Sequence, residues 1–414
     1  MRLFALFVAG LALLAAVAAT VSGGGTQVEA RWVITDLGTL GGPSSEAVAI
    51  NDHGEVIGQA DTRAKDKDGY PLAHAFLWHD GRMIDLGTLG GPESEAVAIN
   101  EQGQVIGNAD TKAKGKDGNP VSHGFLWDNG ARIDLGTLGG PISWAEAINE
   151  RGQVVGRSAI KAKDKYGGSI FHAFLWQGGT MFDLGTFGGP ASSAGDINER
   201  GEIVGSADTT RKREDEDVGL HAVSHAFLWQ GGKLHDLGVL PGRAESGASM
   251  INERGLVVGY SCLPCGPRDP YWVAQAFQWQ AGRMTALAPL RRGSDSHADA
   301  LNERGQVVGG SDWRPVRWHV GKAVALPMRA GVPEGEASDI NERGQIVGVG
   351  TVDLGNGPYR ALLWYGDTRT ALAGLAGTSG GASAINDEGQ VVGWSDTRAK
   401  GFQAHAVLWT LTPP

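Results

Sequence analysis

The sequence predicts an all-β fold, a closed β-propeller of eight four-stranded blades, and three observations predict it. An Ile-Asn or Leu-Asn pair recurs eight times, with its asparagine at Asn51, Asn100, Asn149, Asn198, Asn252, Asn302, Asn341 and Asn386. Each asparagine is followed seven residues later by a glycine, from Gly58 to Gly393, and each unit carries a tryptophan, from Trp78 to Trp409. Finally, the eighth unit stops five residues after Trp409, short of a fourth strand, while Val33–Gly38 is an orphan copy of that strand. One N-terminal strand therefore completes the last blade, which turns a row of units into a ring without open edges. An open solenoid has no need of a split unit.

Each unit reads as four short strands. The first is Ser45–Asn51 and its counterparts, and the Asn-x-x-Gly that ends it carries the chemistry of a tight turn. Gly-x-Val-Val-Gly forms the second strand, rich in β-branched residues. His74–Trp78 forms the third and Met83–Leu86 the fourth. The glycine-to-tryptophan distance is 20 residues in units one to three, 24 in unit four and 9 in unit six, so this segment is expected to be a surface loop. Alanine stands four residues before every Asn, from Ala47 to Ala382, as expected where eight innermost strands converge on a narrow channel. The units span approximately 39–87, 88–136, 137–185, 186–238, 239–288, 289–327, 328–373 and 374–409, with strand 32–38 closing a single domain over 32–414.

Bulk properties narrow the function. The chain has 414 residues and a formal net charge of -10, which argues against nucleic acid or an anionic membrane as partner. Arg2 followed by an apolar run to Ala19 reads as a signal peptide over 1–19, with a linker over 20–31. The mature chain is expected to be secreted, extracellular or periplasmic, with no stable membrane insertion. In that setting Cys262 and Cys265, the two cysteines, form a local disulfide.

The motif His-Ala-Phe at His74–Phe76, His172–Phe174 and His225–Phe227, with the flanking Asp-Leu-Gly-Thr-Leu-Gly-Gly and Ala-Ile-Asn-x-x-Gly, resembles the signature of the HAF family of extracellular repeat proteins. The resemblance covers Trp32 to Trp409 and is worn in later units, where Gln275, Arg314 and Arg360 replace the histidine. It implies an exported repeat protein and carries no chemistry with it.

Function is sought where the repeat breaks, because a residue present in every blade serves packing, whereas a site needs unlike groups converging on one point. The strand-three histidines, the tryptophans and the Asp of Asp-Leu-Gly are therefore read as structural. Trp144, Tyr271 and Trp272 are aromatic breaks suited to stacking on sugars. Unit six collects Ser296, His297 and Asp299 beside its shortest loop, a notch where a ligand enters. These three invite a hydrolase reading, although closeness in sequence is not triad geometry and no G-x-S-x-G elbow is present. His297 is also a ligand-binding candidate. First strands gather Glu46, Glu95, Glu146, Asp196, Asp299, Glu336 and Asp339 as expected channel acids, and Asp66–Gly69 and Asp164–Gly167 are partial calcium loops. No cofactor is implied, calcium apart. The expectation is a non-enzymatic scaffold binding a glycan or protein surface through its variable face. A secreted hydrolase or lyase centred on His297 and a structural envelope protein are the alternatives.

Overall fold

A computed structural model of the chain describes residues 31–412 apart from 116–117, 216–218, 264–273, 330–333, 352–357, 377–378 and 398–402. The signal and linker segments lie outside the described residues, save Arg31, which already pairs with Thr412. The described residues form eight four-stranded antiparallel sheets and no helix. Seven sheets use four consecutive strands, as in blade one: Gly41–Ile50, Val56–Lys65, Pro71–His79 and Arg82–Asp85. The eighth joins Gly380–Ile385, Val391–Asp396 and Ala404–Thr412 to the N-terminal strand Arg31–Gly38. Ile34 pairs with Trp409 and Thr35 with Leu408, so the orphan strand closes the ring.

One expectation changes. In blades one to four the variable segment is mostly strand, because strands two and three continue their ladder outward as a long hairpin. In blade one that ladder reaches Lys65 opposite Pro71, held by Thr62 Oγ1 donating to the Leu72 carbonyl. Asp66 Oδ1 accepts the N–H of Asp68 and Tyr70 and so caps the tip. Asp164 does the same with Tyr166 and Gly168. The carboxylates read as parts of calcium loops thus close their own turns.

Strand three supplies the buried aromatics, with Phe76, Phe125, Phe174, Phe227 and Phe277 among the largest fully buried side chains. Each core lies between two blades. Ile57, Ala75, Leu77 and Leu86 of blade one meet Ala96, Val105, Ala109 and Phe125 of blade two. The seam is built alike: Leu37, Val392, Ala406 and Leu408 meet Ala47, Val56, Ala60 and Phe76.

The repeated alanine and glycine have a shared cause. Ala47 pairs with Gly58, Ala145 with Gly156, and so on in every blade, next to a shift of register in strand one. A side chain at any of these glycines would run into the carbonyl oxygen before the paired alanine, for instance Trp144 O at Gly156. Only glycine lets the two strands close at this bulge. The alanine in turn packs on strand three of the preceding blade, as Ala96 does on Ala75 and Ala194 on Ala173. Its small size answers to the neighbouring sheet rather than to the channel.

The blades are tied by the asparagines. Each Asn Nδ2 donates to the backbone carbonyl of the next blade's Asn: Asn51 to Asn100, Asn149 to Asn198, Asn252 to Asn302, and finally Asn386 back to Asn51 at 2.9 Å. Each Oδ1 accepts a backbone N–H of its own turn, as Asn149 does from Arg151 and Gln153. A second circuit runs beside the first. The N–H after each Asn donates to the acid after the next Asn, as Glu101 does to Glu150, and Asp387 closes on Asp52 at 2.7 Å. All of these asparagines are buried. Asn149→Ala is expected to cost about 3 kcal/mol or more of unfolding free energy, since it strands buried donors and an acceptor at once. Urea unfolding of the variant measures it, and a loss below about 1 kcal/mol would deny the ring its role.

Candidate functional site

The polar groups common to the blades are already engaged inside the fold. His74, His123, His172 and His225 each place Nδ1 on the Asp of Asp-Leu-Gly, Asp85, Asp134, Asp183 and Asp236, at 2.8–3.0 Å. His405 does so with Asp36 across the seam. One oxygen of each Asp also accepts the N–H of the glycine two residues on, such as Gly87 or Gly38. In blades five to seven both partners are lost together, with Gln275, Arg314 and Arg360 facing units that carry Ala286, Ala325 and Ala371. This paired loss marks the histidines as structural.

Ser296 belongs to the same class. Ser45, Ser94, Ser143, Ser192 and Ser246 each accept, at Oγ, a strand-three N–H of the preceding blade. Ser296 accepts that of Ala276 at 3.0 Å and is fully buried. It is a blade-to-blade rivet and stands apart from His297, so the Ser/His/Asp set is no triad. Trp144 is half-buried, its ring 5.0 Å from Phe171 and under the Arg157 guanidinium at 4.6 Å. Its neighbours are thus groups of its own blade. Cys262 is disulfide-bonded. Cys265, Tyr271 and Trp272 lie outside the described residues.

What remains is a cavity of about 580 Å³ between blades six and seven, where the sequence places the notch. Asp295, His297, Asp312, Trp313, Glu334 and Glu336 line it. The hairpin beneath it turns through Asp312 and Trp313 at φ +52° and +60°, a left-handed pair that ordinarily wants Asn-Gly. His297 Nε2 lies 3.3 Å from Asp299 Oδ2 and 3.3 Å from Glu336 Oε1. Contact with Glu336, and then the charge of Asp299, raises the imidazole's pKa against the pull of burial, while His297 holds Glu336 low. Burial above all pushes Asp299 up to about 7. His297 and Asp299 were legible; Glu336 as their partner was not, although it holds the same place before Asn341 that His297 holds before Asn302.

Other first-strand acids have separate tasks. Glu46 and Glu146 are raised by burial. Asp196 joins two blades, accepting the N–H of Ile197 and of Ile251, and Asp339 does so with Ile340 and Ile385. Burial pushes Asp196 up to about 7 and Asp339 up to about 6 against those bonds, with Glu253 and Asp387 adding to the rise.

A second cavity, of about 670 Å³, opens between blades two and three on the long hairpins, and it is basic. Lys114, Lys161 and Lys163 line it beside His123 and the Gly139–Pro141 turn. The stem of Lys161 lies across Gly139, as Lys112 does across Gly90 and Arg63 across Gly41. Arg63, Lys65, Lys112, Lys114, Lys161 and Lys163 are exposed, and among the described residues none is ion-paired. Sequence reasoning passed over them because the net charge is acidic. The available signal was their fixed place, twelve and fourteen residues after Asn51, Asn100 and Asn149.

A family model described as a protein of unknown function (DUF3466) matches residues 15–134, the closing strand and blades one and two. No curated protein was found to match the sequence. Among solved structures the chain is similar to the β-propeller domain of the Trilobed protease from Pyrococcus furiosus, with 12% identity and TM-score 0.49 over 80% of this chain and 96% of that one. A puromycin-hydrolyzing peptidase from Mycobacterium tuberculosis gives 13% and 0.47 over 85% and 57%. A polysaccharide lyase of the PL25 ulvan lyase family gives 11% and 0.41 over 83% and 97%. Of these three, the first is described as a β-propeller, and no residue role passes from any of them to this chain.

Two outcomes follow from the assignments. Ser296→Ala is expected to cost about 1–2 kcal/mol of stability, and Ser94→Ala a similar amount, because each strands one buried N–H; a Ser296 variant as stable as the parent would contradict the rivet. Asp196 and Asp339 titrate higher in the folded chain than the ordinary carboxylate near 4, so the folded state binds more protons. Their effect is absent below about pH 4 and grows to about pH 7, so stability falls as pH rises through that window. Replacing both by Ala, which Ala49 and Ala98 show other blades tolerate, should flatten the dependence of melting temperature on pH whatever the absolute stability. An unchanged slope would assign the titration elsewhere.

Proposed function

We propose that the chain is an exported, non-enzymatic propeller that holds an acidic polysaccharide on the hairpin face of blades one to four. Its export rests on the N-terminal leader-like segment, and its placing among HAF-type extracellular repeat proteins on the His-Ala-Phe motifs. One observation carries the ligand class: Lys114, Lys161 and Lys163 converge without carboxylate partners on one cavity of a protein whose net charge is -10. The same cation pair recurs as Arg63 and Lys65 in blade one, and blade four keeps its outer member as Lys212, with Thr210 in the other place. Repeated cations on successive blades suit a ligand whose negative charge also repeats. Tyr70 and Tyr166, 69% and 82% exposed on the hairpin tips, offer flat apolar faces for sugar rings. With the common histidines and Ser296 committed to the fold, the Ser296, His297 and Asp299 set lends the hydrolase reading no nucleophile–base pair among the described residues.

Affinity electrophoresis in polygalacturonate gels tests this. The parent should be retarded at low salt and released as salt screens the contact. Lys114→Glu, Lys161→Glu and Lys163→Glu together should weaken binding at least about tenfold, since three exposed attractions become repulsions. Dextran should not retard the chain. Equal retardation of the triple variant, or tighter binding to single-stranded DNA than to the acidic polysaccharide, would overturn the reading.

A further inference from the structure

Among the eight copies of the first strand, only that of blade six carries a histidine, His297. Glu336 occupies the same place in blade seven, and the two meet across the blade boundary at 3.3 Å. Asp299 is the extra residue of blade six's bulge, between Ala298 and Ala300, and its Oδ2 lies 3.3 Å from the same nitrogen. Both separations exceed the roughly 2.7–2.9 Å of a charge-assisted hydrogen bond. They match the edge of a coordination tetrahedron, because two donors each about 2.1 Å from a common centre stand about 3.4 Å apart. One donor atom from each of the three residues lies within 4.8 Å of the others.

Three further features fit a cation. Asp299 Oδ2 is buried and has no hydrogen-bond partner. The imidazole lies over Gly310, where any side chain would collide with the ring, so the bed beneath it is shaped to it. Asp295, Asp312 and Glu334 line the adjoining cavity and add negative potential, with Asp312 Oδ2 and Glu334 Oε2 likewise buried and without a hydrogen-bond partner.

The geometry points to a divalent transition-metal site: His297 Nε2, Asp299 Oδ2 and Glu336 Oε1 hold one ion, two ligands from blade six and one from blade seven. One imidazole and two carboxylates suit zinc or manganese better than calcium, which prefers a shell of oxygens. Three protein ligands leave coordination positions open, and the cavity lined by His297 and Glu336 gives them access to water or to a ligand oxygen. The site is independent of the lysine face.

Chelator-stripped full chain titrated with Zn²⁺ against a chromogenic chelator tests the assignment, with Co²⁺ uptake followed by visible absorption. One equivalent per chain is expected, and Co²⁺ should show the intense d–d bands of a four- or five-coordinate ion. His297→Ala and Glu336→Gln should each weaken uptake at least about tenfold and remove those bands. Glu336 is half-exposed, so its variant keeps the fold, which circular dichroism checks. His225→Gln, at a structural His–Asp pair, should bind as the parent does. Absence of stoichiometric uptake by the parent, or equal uptake by the His297 and Glu336 variants, would overturn the site.

Discussion

A hydrogen bond made once per blade, from each asparagine amide to the carbonyl of the next asparagine, orders the rest of this wheel. In a circle every donor finds an acceptor. In an open row one amide and one carbonyl would be left buried and unpaired, at about 1–3 kcal/mol each. The parallel circuit of backbone N–H groups and acids, closing from Asp387 to Asp52, adds charge-assisted bonds under the same condition. Closure is therefore favoured twice at the turns, and again by the strand Arg31–Gly38 in the last sheet. The eight acids stand near one another on one face, and their bonds to backbone donors offset that repulsion.

The repeat that builds the wheel also decides where ligands bind. Glycine at the bulge, alanine against the neighbouring sheet, serine between blades and the His–Asp pair use up most of what the blades have in common. Chemistry is left to what the scaffold does not need. On the hairpin face that is a set of cations carried outward by strand extension in blades one to four. At the rim of blades six and seven it is a short hairpin, turned through Asp312 and Trp313, that opens a carboxylate-lined cavity. The two regions have opposite charge and separate scaffolding.

Much of this was legible in the sequence. Counting units gave eight sheets, and the orphan strand gave their closure. Other points were written there but needed the units aligned column by column. Ser296 stands six residues before Asn302, as Ser45 and Ser143 stand before Asn51 and Asn149, and an acid follows every repeat asparagine. His297 and Glu336 likewise share a column, and neighbouring blades bring a column's side chains together. Some points were not legible. The glycine column answers to a backbone collision that appears only once two strands are paired. The hairpin extensions arise because a polar alternating segment is compatible with either loop or ladder until its partner is known. The net charge hid the lysines, because a sum says nothing about where charges stand.

Residue-resolved hydrogen exchange under native conditions tests closure most directly, through the amides of Asp52, Glu101, Glu150, Glu199, Glu253, Glu303, Glu342 and Asp387. If the asparagine and acid circuits form one closed ring, the amide of Asp387 and the amides of Arg31–Gly38 that bond to the strand Ala404–Thr412 will exchange as slowly as Glu150 and Glu199, opening only when the whole wheel unfolds. Rapid exchange of Asp387 and of those strand amides bonded to Ala404–Thr412, with the middle blades still protected, would show a ring that does not close.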